Sequence, residues 1–274
     1  MKSCGAMGMS ISTYYYRSVD KDAEDEIIAE KIRSFIEDIP ESGYRPVTDH
    51  LNKEMTINHK RVNRIMREKD LLCRKKRACK TSTTDSLHKL RKYPNLAKDV
   101  ITTDINQVIV GDVSAYNIRG KDHYMASLMD RHSRRTIGKA ISDKNNTELL
   151  LAALDEAVRT RGSLEGCIHH TDSDVRYCSE DYIRHLNTNK MAISMCVGNV
   201  YENAHAEAFN GTVKRQEINI SDYDDKKESA ISIFNFIDKY NTIRPHSSLG
   251  GLSPVEFENN LSLMKKNLEK SLQF

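Results

Sequence analysis

The spacing of apolar residues changes near residue 107, and this change divides the chain into two regions. Before it, apolar side chains recur every three or four positions, as at Ile28, Ile32 and Phe35, which is the period of an amphipathic helix. After it, short apolar runs alternate with longer helical patterns. The first region is therefore predicted to be a small all-helical domain, and the second an α/β domain.

The predicted elements follow from these two periods. In the first region, helices are predicted at residues 22–38, 47–53 and 58–68. In the second region, strands are predicted at 108–113, 124–129, 136–141, 167–168 and 191–195, and helices at 147–159, from Ser179, at 202–216 and at 230–240. Three consecutive strands followed by alternating helices and strands predict a five-stranded mixed sheet flanked by helices.

Basic residues are concentrated in the helical region. Residues 1–100 carry 21 Lys or Arg against 15 Asp or Glu, and residues 60–80 contain ten basic residues against two acidic ones. A short helix, a turn and a basic helix form the arrangement by which a helix-turn-helix places a recognition helix on DNA. The side chains predicted to contact DNA are Lys60, Arg61, Arg64 and Arg67. A plain three-helix scaffold with a solvated basic face is the alternative.

Composition predicts four segments and a soluble protein. The segments are a helical DNA-binding region at 1–73, a basic linker at 74–106, a core at 107–260 and a tail at 261–274. No stretch reaches the ~20 apolar residues of a membrane helix, and the first ten residues do not resemble a secretory signal. Among the six cysteines, Cys73 and Cys79 flank a basic run and are a candidate metal site; the alternative is ordinary reduced thiols.

Three acidic residues occupy distinctive settings in the core. Asp112 lies at the end of the first predicted strand, Asp172 follows the fourth, and Glu207 lies on the predicted helix at 202–216. If the first and fourth strands are parallel neighbours, the two aspartates converge at their carboxyl ends. Three carboxylates from separate elements suit a pair of Mg²⁺ or Mn²⁺ ions ~4 Å apart, which is common in phosphodiester chemistry. Taken alone, Asp112 could instead cap a turn.

The residues around these carboxylates resemble the integrase core of bacterial insertion-sequence transposases, which are relatives of retroviral integrases. The similarity extends over nearly the whole chain and includes the helix-turn-helix segment. The matching segments are Asn106-Gln107 before Asp112, His170-Thr171-Asp172 with Tyr177, Asn203-Ala204 with Glu207 and Phe209, and Tyr240-Asn241 with Arg244-Pro245-His246.

This resemblance implies a ribonuclease-H-like fold and a DDE-type enzyme. Asp112, Asp172 and Glu207 would bind two Mg²⁺ or Mn²⁺ ions, and the protein would cleave DNA at the ends of its element and transfer them into target DNA. His170 and Asn203 would orient the catalytic loops. The chain would be the second-frame protein of a bacterial element, located in the cytoplasm in association with the nucleoid. Its implied partners are DNA, further copies of itself on DNA, and a protein from an upstream reading frame.

The chain departs from the family pattern near the site. Asp172 and Glu207 are separated by 34 residues, one fewer than is usual, and Asp174 and Gly111 replace a glycine and a threonine. Two alternative functions therefore stand beside transposition. One is a ribonuclease-H-like nuclease without strand transfer, and the other is a DNA-binding regulator with an inactive core.

Three further residues are candidates for contact with DNA. Lys214 lies seven residues, or two helical turns, after Glu207 and therefore on the same face of the helix. It is predicted to hold a DNA phosphate, and the alternative is an ion pair with Glu217. Arg244 and His246 are suited to phosphate contact, and the alternative is a purely structural turn.

Overall fold

A computed structural model describes residues 22–73, 90–196 and 203–271. Half of the predicted linker, at 74–89, lies outside the described residues and includes Cys79. The end of the predicted tail, at 272–274, lies outside them as well. Within the described residues, the change of apolar period near residue 107 separates a helical domain from an α/β domain.

Three helices form the N-terminal domain around one apolar cluster. The third begins after Asn58, whose side chain accepts a hydrogen bond from the backbone N–H of Lys60. The second begins three residues before its predicted start, because Pro46 is tolerated in the first turn of a helix, where its nitrogen needs no partner. The helices are α1 (Asp22–Asp38), α2 (Tyr44–Leu51) and α3 (His59–Glu68).

Five strands form one mixed sheet in the order β3-β2-β1-β4-β5. The first three are antiparallel neighbours, whereas β4 and β5 run parallel to β1. This is the sheet that the sequence predicts, and it belongs to a ribonuclease-H-like fold. The strands are β1 (Val108–Ile118), β2 (Lys121–Asp130), β3 (Thr136–Ser142), β4 (Ile168–Thr171) and β5 (Ala192–Met195).

The hairpin between β1 and β2 is longer than its apolar pattern predicts. β1 continues five residues beyond its predicted end, because its backbone stays paired with β2 as far as Ile118 and Lys121. At the turn, the side chain of Asn117 accepts a hydrogen bond from the N–H of Gly120. Gly120 adopts a φ of 83°, which a residue without a side chain adopts readily.

Helices cover both faces of the sheet. The apolar side chains of α4 and α5 pack with Ile109 and Val113 on one face. Those of α6 and α7 pack with Val108 and Val110 on the other. Gly138 permits the closest approach, since a Cβ at this position in β3 would lie 2.2 Å from the carbonyl oxygen of Ala153 in α4. The helices are α4 (Thr147–Arg161), α5 (Glu180–Thr188), α6 (Ala204–Val213) and α7 (Lys226–Thr242).

The helix predicted at 202–216 divides into two parts. The α-helix α6 ends at Val213 and continues directly as a π-helical segment, Lys214–Ile218. A π-helical segment within a helix is often found at a functional site. Residue 202, at the predicted start of this helix, lies outside the described residues.

A buried ionic cluster attaches the last helix, α8 (Pro254–Ser271), to the sheet. The carboxylate of Glu258 accepts hydrogen bonds from Arg135 at 2.7 Å, from Arg161 at 2.8 Å and from the hydroxyl of Ser133. Arg161 also reaches Asp130, which is fully buried at the end of β2. The predicted boundary at residue 260 therefore falls within a helix that is anchored to the core.

The two domains contact each other in the described part of the chain. Lys53 of the helical domain forms an ion pair with Glu256 of α8 at 2.6 Å. The side-chain amide of Gln216 donates a hydrogen bond to the carbonyl oxygen of Glu41. No helix among the described residues is long and apolar enough to cross a membrane.

Candidate active site

Asp112 and Asp172 lie side by side because β1 and β4 are parallel neighbours. Val110 pairs with His170, and extending this register by two residues places Asp112 next to Asp172. The prediction that Asp112 lies at the end of its strand is wrong, because β1 continues along β2 as far as Ile118. The strand that ends here is β4, at Thr171, so Asp172 follows it directly.

The pKa of Asp112 is raised to about 7. Burial is the largest cause and the nearby charge of Asp172 the second, because both disfavour the ionised carboxyl. The side-chain amide of Asn210 and the backbone N–H of Val113 donate hydrogen bonds to it and partly offset this effect. Glu207 also raises the pKa of Asp112.

Glu207 reaches the same place from α6. Its pKa is raised by partial burial and by the charge of Asp172, so each pair among the three carboxyls is close enough to interact. The side chain of Asn203 fixes the start of α6 by donating a 3.0 Å hydrogen bond to the carbonyl oxygen of Gly111. Asp112, Asp172 and Glu207 therefore lie within electrostatic range of one another at one edge of the sheet.

Asn210 is a residue of this site that the sequence analysis missed. Its side-chain nitrogen donates to Oδ2 of Asp112 at 2.8 Å, and its oxygen accepts from the hydroxyl of Ser127 at 3.1 Å. Ser127 is the neighbour of Asp112 across β1 and β2. The signal was present in the sequence, because Asn210 follows Glu207 by three residues and shares its helix face.

The two histidines of β4 have different surroundings. His169 is buried and its Nε2 lies 2.9 Å from the hydroxyl of Tyr182. Its pKa is lowered to about 3, mainly by burial. His170 approaches the hydroxyl of Ser194 in β5 at 2.8 Å and the thiol of Cys196 at 3.3 Å. These contacts fix the end of β4 two residues before Asp172.

The donor atoms at this edge suit a hard divalent cation. Carboxylate oxygens are the ligands that Mg²⁺ prefers, and a cation would offset the mutual repulsion that raises these pKa values. Each oxygen of Asp112 accepts one hydrogen bond and retains a further acceptor position. Among the described residues, however, no three His, Cys, Asp or Glu side chains lie close enough to share one ion as they stand.

Comparison with known proteins identifies the family. Two models described as integrase core domain match residues 102–198 and 193–254, and an HTH-like domain matches 22–78. The chain is 30% identical over 264 residues to an uncharacterized 31 kDa protein of insertion element IS600 from Shigella sonnei, covering 93% of this chain and 96% of that one. The chain belongs to the insertion-sequence transposases with an integrase catalytic core.

Other relatives agree with this assignment. The transposase of insertion sequence IS904 from Lactococcus lactis is 31% identical over 252 residues, which cover 88% of this chain and 97% of the relative. The HTLV-2 integrase catalytic core domain, solved in complex with magnesium, superposes with a TM-score of 0.45 at 15% identity. That match covers 56% of this chain and 96% of that chain. The integrase core models and the similarity to the IS904 transposase, rather than this superposition, support a DNA transposition enzyme of the nucleotidyl-transferase type.

Two departures from the transposase pattern are accommodated locally. The buried carboxylate of Asp174 is paired with Arg176 at 2.5 Å, so its charge beside the site is compensated. Gly111 lies against His169, and a Cβ at this position would come within 3.1 Å of that ring. The bulk of the histidine therefore occupies the space that a larger residue would need.

Lys214 lies close to Asp112 and is not paired with Glu217. The charge of Asp112 raises the pKa of Lys214, although burial has the larger effect and lowers it overall. Glu217 accepts hydrogen bonds from the hydroxyls of Tyr223, Ser232 and Ser221 instead. In the described part of the chain, Lys214 is therefore a cation at the edge of the carboxylate cluster.

The remaining predicted DNA contacts lie elsewhere. Arg61 and Arg64 hold α3 to α1 through the buried carboxylate of Asp25, which needs compensating cations. Lys60 and Arg67 are exposed on the same helix, so a DNA contact by α3 depends mainly on them. Arg244 and His246, in the segment that follows α7, line a cavity on the other side of α6.

Proposed function

We propose that this transposase cleaves DNA at the ends of its element and joins those ends to target DNA. The observation that carries the proposal is the proximity of Asp112, Asp172 and Glu207 at one edge of the sheet, where each carboxyl is close enough to affect the pKa of another. We propose these three as the catalytic residues and as ligands of two Mg²⁺ or Mn²⁺ ions. When bound, such ions activate the attacking oxygen and stabilise charge on the leaving oxygen.

The protein residues around the carboxylates would position them and the DNA. Asn210 holds Asp112 from one side. His170 and Asn203 hold the end of β4 and the start of α6, which supports their proposed role in orienting the catalytic loops. Since the three carboxyls do not yet share an ion position, metal binding requires side-chain rotation, which the exposed position of Glu207 allows.

The assay is cleavage and joining on a plasmid that carries the DNA flanking the gene, in the presence of Mg²⁺. Asp112→Asn, Asp172→Asn and Glu207→Gln should each abolish both steps. Asp222→Asn is the matched control, because Asp222 is exposed and lies outside the site. Binding of Mn²⁺, measured by calorimetry, should weaken in the three site variants and stay unchanged in the control.

The same assay separates the alternatives. Cleavage without joined products would favour a nuclease that only hydrolyses. DNA binding without cleavage, unchanged in Asp112→Asn, would favour a regulator with an inactive core. Catalysis that survives all three substitutions would refute the assignment of the site.

We also propose that copies of the chain assemble on DNA and act with a protein from an upstream reading frame. The exposed apolar side chains of Leu263, Met264 and Leu268 on α8 support association, because exposed apolar patches often mark interaction surfaces. The mass of the complex with DNA, measured by light scattering, tests the first part. Coexpression with the upstream frame and copurification test the second.

A further inference from the structure

A cavity of about 330 Å³ lies beside α6, away from the carboxylates. It is bounded by α6, the end of α7 and the segment at residues 244–248. Its walls combine apolar side chains, including Met129 and Tyr240, with cationic and hydrogen-bonding ones. The polar lining residues are Arg134, His205, Thr212, Arg244, His246 and Ser248.

The cavity and the carboxylates lie on opposite flanks of α6. His205, Ala208 and Thr212 are spaced by three and four residues and line the cavity. Glu207 and Lys214 are seven residues apart and share a different face of the same helix. Because a helix with its side chains is about 10–12 Å across, the cavity lies about that far from the carboxylate cluster.

The cavity is positively charged, and its lining among the described residues includes no carboxylate. Arg244 donates one hydrogen bond, to the side chain of Gln216, and its guanidinium lies over the ring of Tyr240. Nη1 of Arg134 and Nε2 of His246 are buried without a hydrogen-bond partner among the described residues. Burial lowers the pKa of His246 to about 3, so the positive charge of the cavity comes from Arg134 and Arg244. Two guanidinium groups favour a ligand that accepts hydrogen bonds and carries negative charge.

We propose that this cavity binds a backbone phosphate of the DNA strand that crosses α6 to reach the carboxylates. Arg134 and Arg244 supply the charge and planar guanidinium donors that suit phosphate, and the hydroxyl of Ser248 supplies a further donor. The width of α6 places this phosphate about 10–12 Å from the bond that is cut. The identity of that bond rests on the proposed function, whereas the phosphate contact itself does not.

The salt dependence of DNA binding tests the contact. The full chain and a 30-base-pair duplex are titrated by fluorescence anisotropy between 50 and 200 mM salt. Losing one phosphate contact lowers the logarithmic slope by about 0.9. Raising the salt from 50 to 200 mM weakens DNA binding by both proteins. The factor by which the wild-type affinity falls should be about three to four times the factor for Arg134→Gln. Arg134→Lys, which keeps the charge, should restore most of the slope.

Two further variants complete the test. Arg159→Gln is the matched control, because Arg159 is exposed on α4, on the opposite face of the sheet. Ala208→Glu places a carboxylate at the exposed wall of the cavity without removing an existing contact. It should lower the slope as Arg134→Gln does, even if the arginine variant folds poorly. Unchanged slopes in both Arg134→Gln and Ala208→Glu would overturn the proposal.

A second arm distinguishes DNA from a free phosphate compound. Inorganic phosphate, added at constant ionic strength, should compete weakly with the duplex at this cavity. If phosphate raises the melting temperature of the wild type but Ala208→Glu leaves the DNA slope unchanged, the cavity binds small anions and the proposal is wrong. Asp112→Asn should keep the wild-type slope, so a loss of cleavage and a loss of the phosphate contact are measured separately.

Discussion

Removing the carboxylate of Glu258 should destabilise the core far more than a similar change two residues away. This side chain accepts hydrogen bonds from Arg135, Arg161 and Ser133 in a buried cluster. Breaking a buried ion pair by removing one partner costs about 3–5 kcal/mol, because the other charge stays buried. Arg161 retains Asp130 as a partner, so Glu258→Ala should cost roughly 3 kcal/mol, at the lower end of this range.

Glu256→Ala is the matched control. Glu256 is on the same helix and is paired with Lys53, but both side chains are partly exposed to solvent. Pairs of this kind contribute about 0–1 kcal/mol, and the hydrogen bond that Glu256 accepts from the backbone N–H of Ser253 contributes about 0.5–1.5 kcal/mol more. Urea unfolding followed by circular dichroism measures both variants through their midpoints. A loss in Glu258→Ala that is no larger than the loss in Glu256→Ala would refute the reasoning.

The same cluster predicts a dependence on pH. Burial raises the pKa of Glu258, but hydrogen bonds from Arg161 and Ser133 more than offset this, and the net pKa is lowered. A carboxyl whose folded pKa is depressed stabilises the protein above its unfolded pKa, and this contribution is lost as the pH falls through the folded pKa. The difference in unfolding free energy between wild type and Glu258→Ala should therefore be full at neutral pH and decrease in acid below about pH 4. A difference that does not decrease in acid would contradict this origin.

Three further predictions concern packing and DNA contact. Gly138→Ala should destabilise the protein by about 1–3 kcal/mol or more in urea unfolding, because the added Cβ would collide with the backbone of α4. Gly43→Ala is the control: the space around Gly43 is open, so this change should alter stability by less than about 1 kcal/mol. Lys214→Ala should slow cleavage and joining about 10- to 100-fold, as expected for a lost charged hydrogen bond of 1.5–3 kcal/mol, with an unchanged melting temperature; full activity would make it an ordinary surface residue. Replacing Lys60 and Arg67 together by glutamine should lower the slope of DNA binding against salt by about two, and an unchanged slope would favour the scaffold interpretation of α3.

Local sequence determined most of the helices and strands and the three acidic residues of the candidate site. The helical period placed α1 at residues 22–38, as observed, because an apolar stripe at this spacing is buried in one way only. Motifs around Asp112, Asp172 and Glu207 were sufficient to indicate the family, since each carboxylate stands in its own short segment. The length of β1 could not be read in this way, because backbone pairing with β2 extends it through residues without a strong apolar signal.

Only the tertiary structure decided which side chains meet. The parallel pairing of β1 and β4 brings together Asp112 and Asp172, sixty residues apart in the chain. The charge run of α3 did not show that Arg61 and Arg64 are engaged by Asp25 of another helix. The sequence also did not show the cavity beside α6, because Arg134 and Arg244, which line it, come from distant segments of the chain. Periodicity is a local property of the backbone, whereas pairing of charges depends on distances that exist only after the chain has folded.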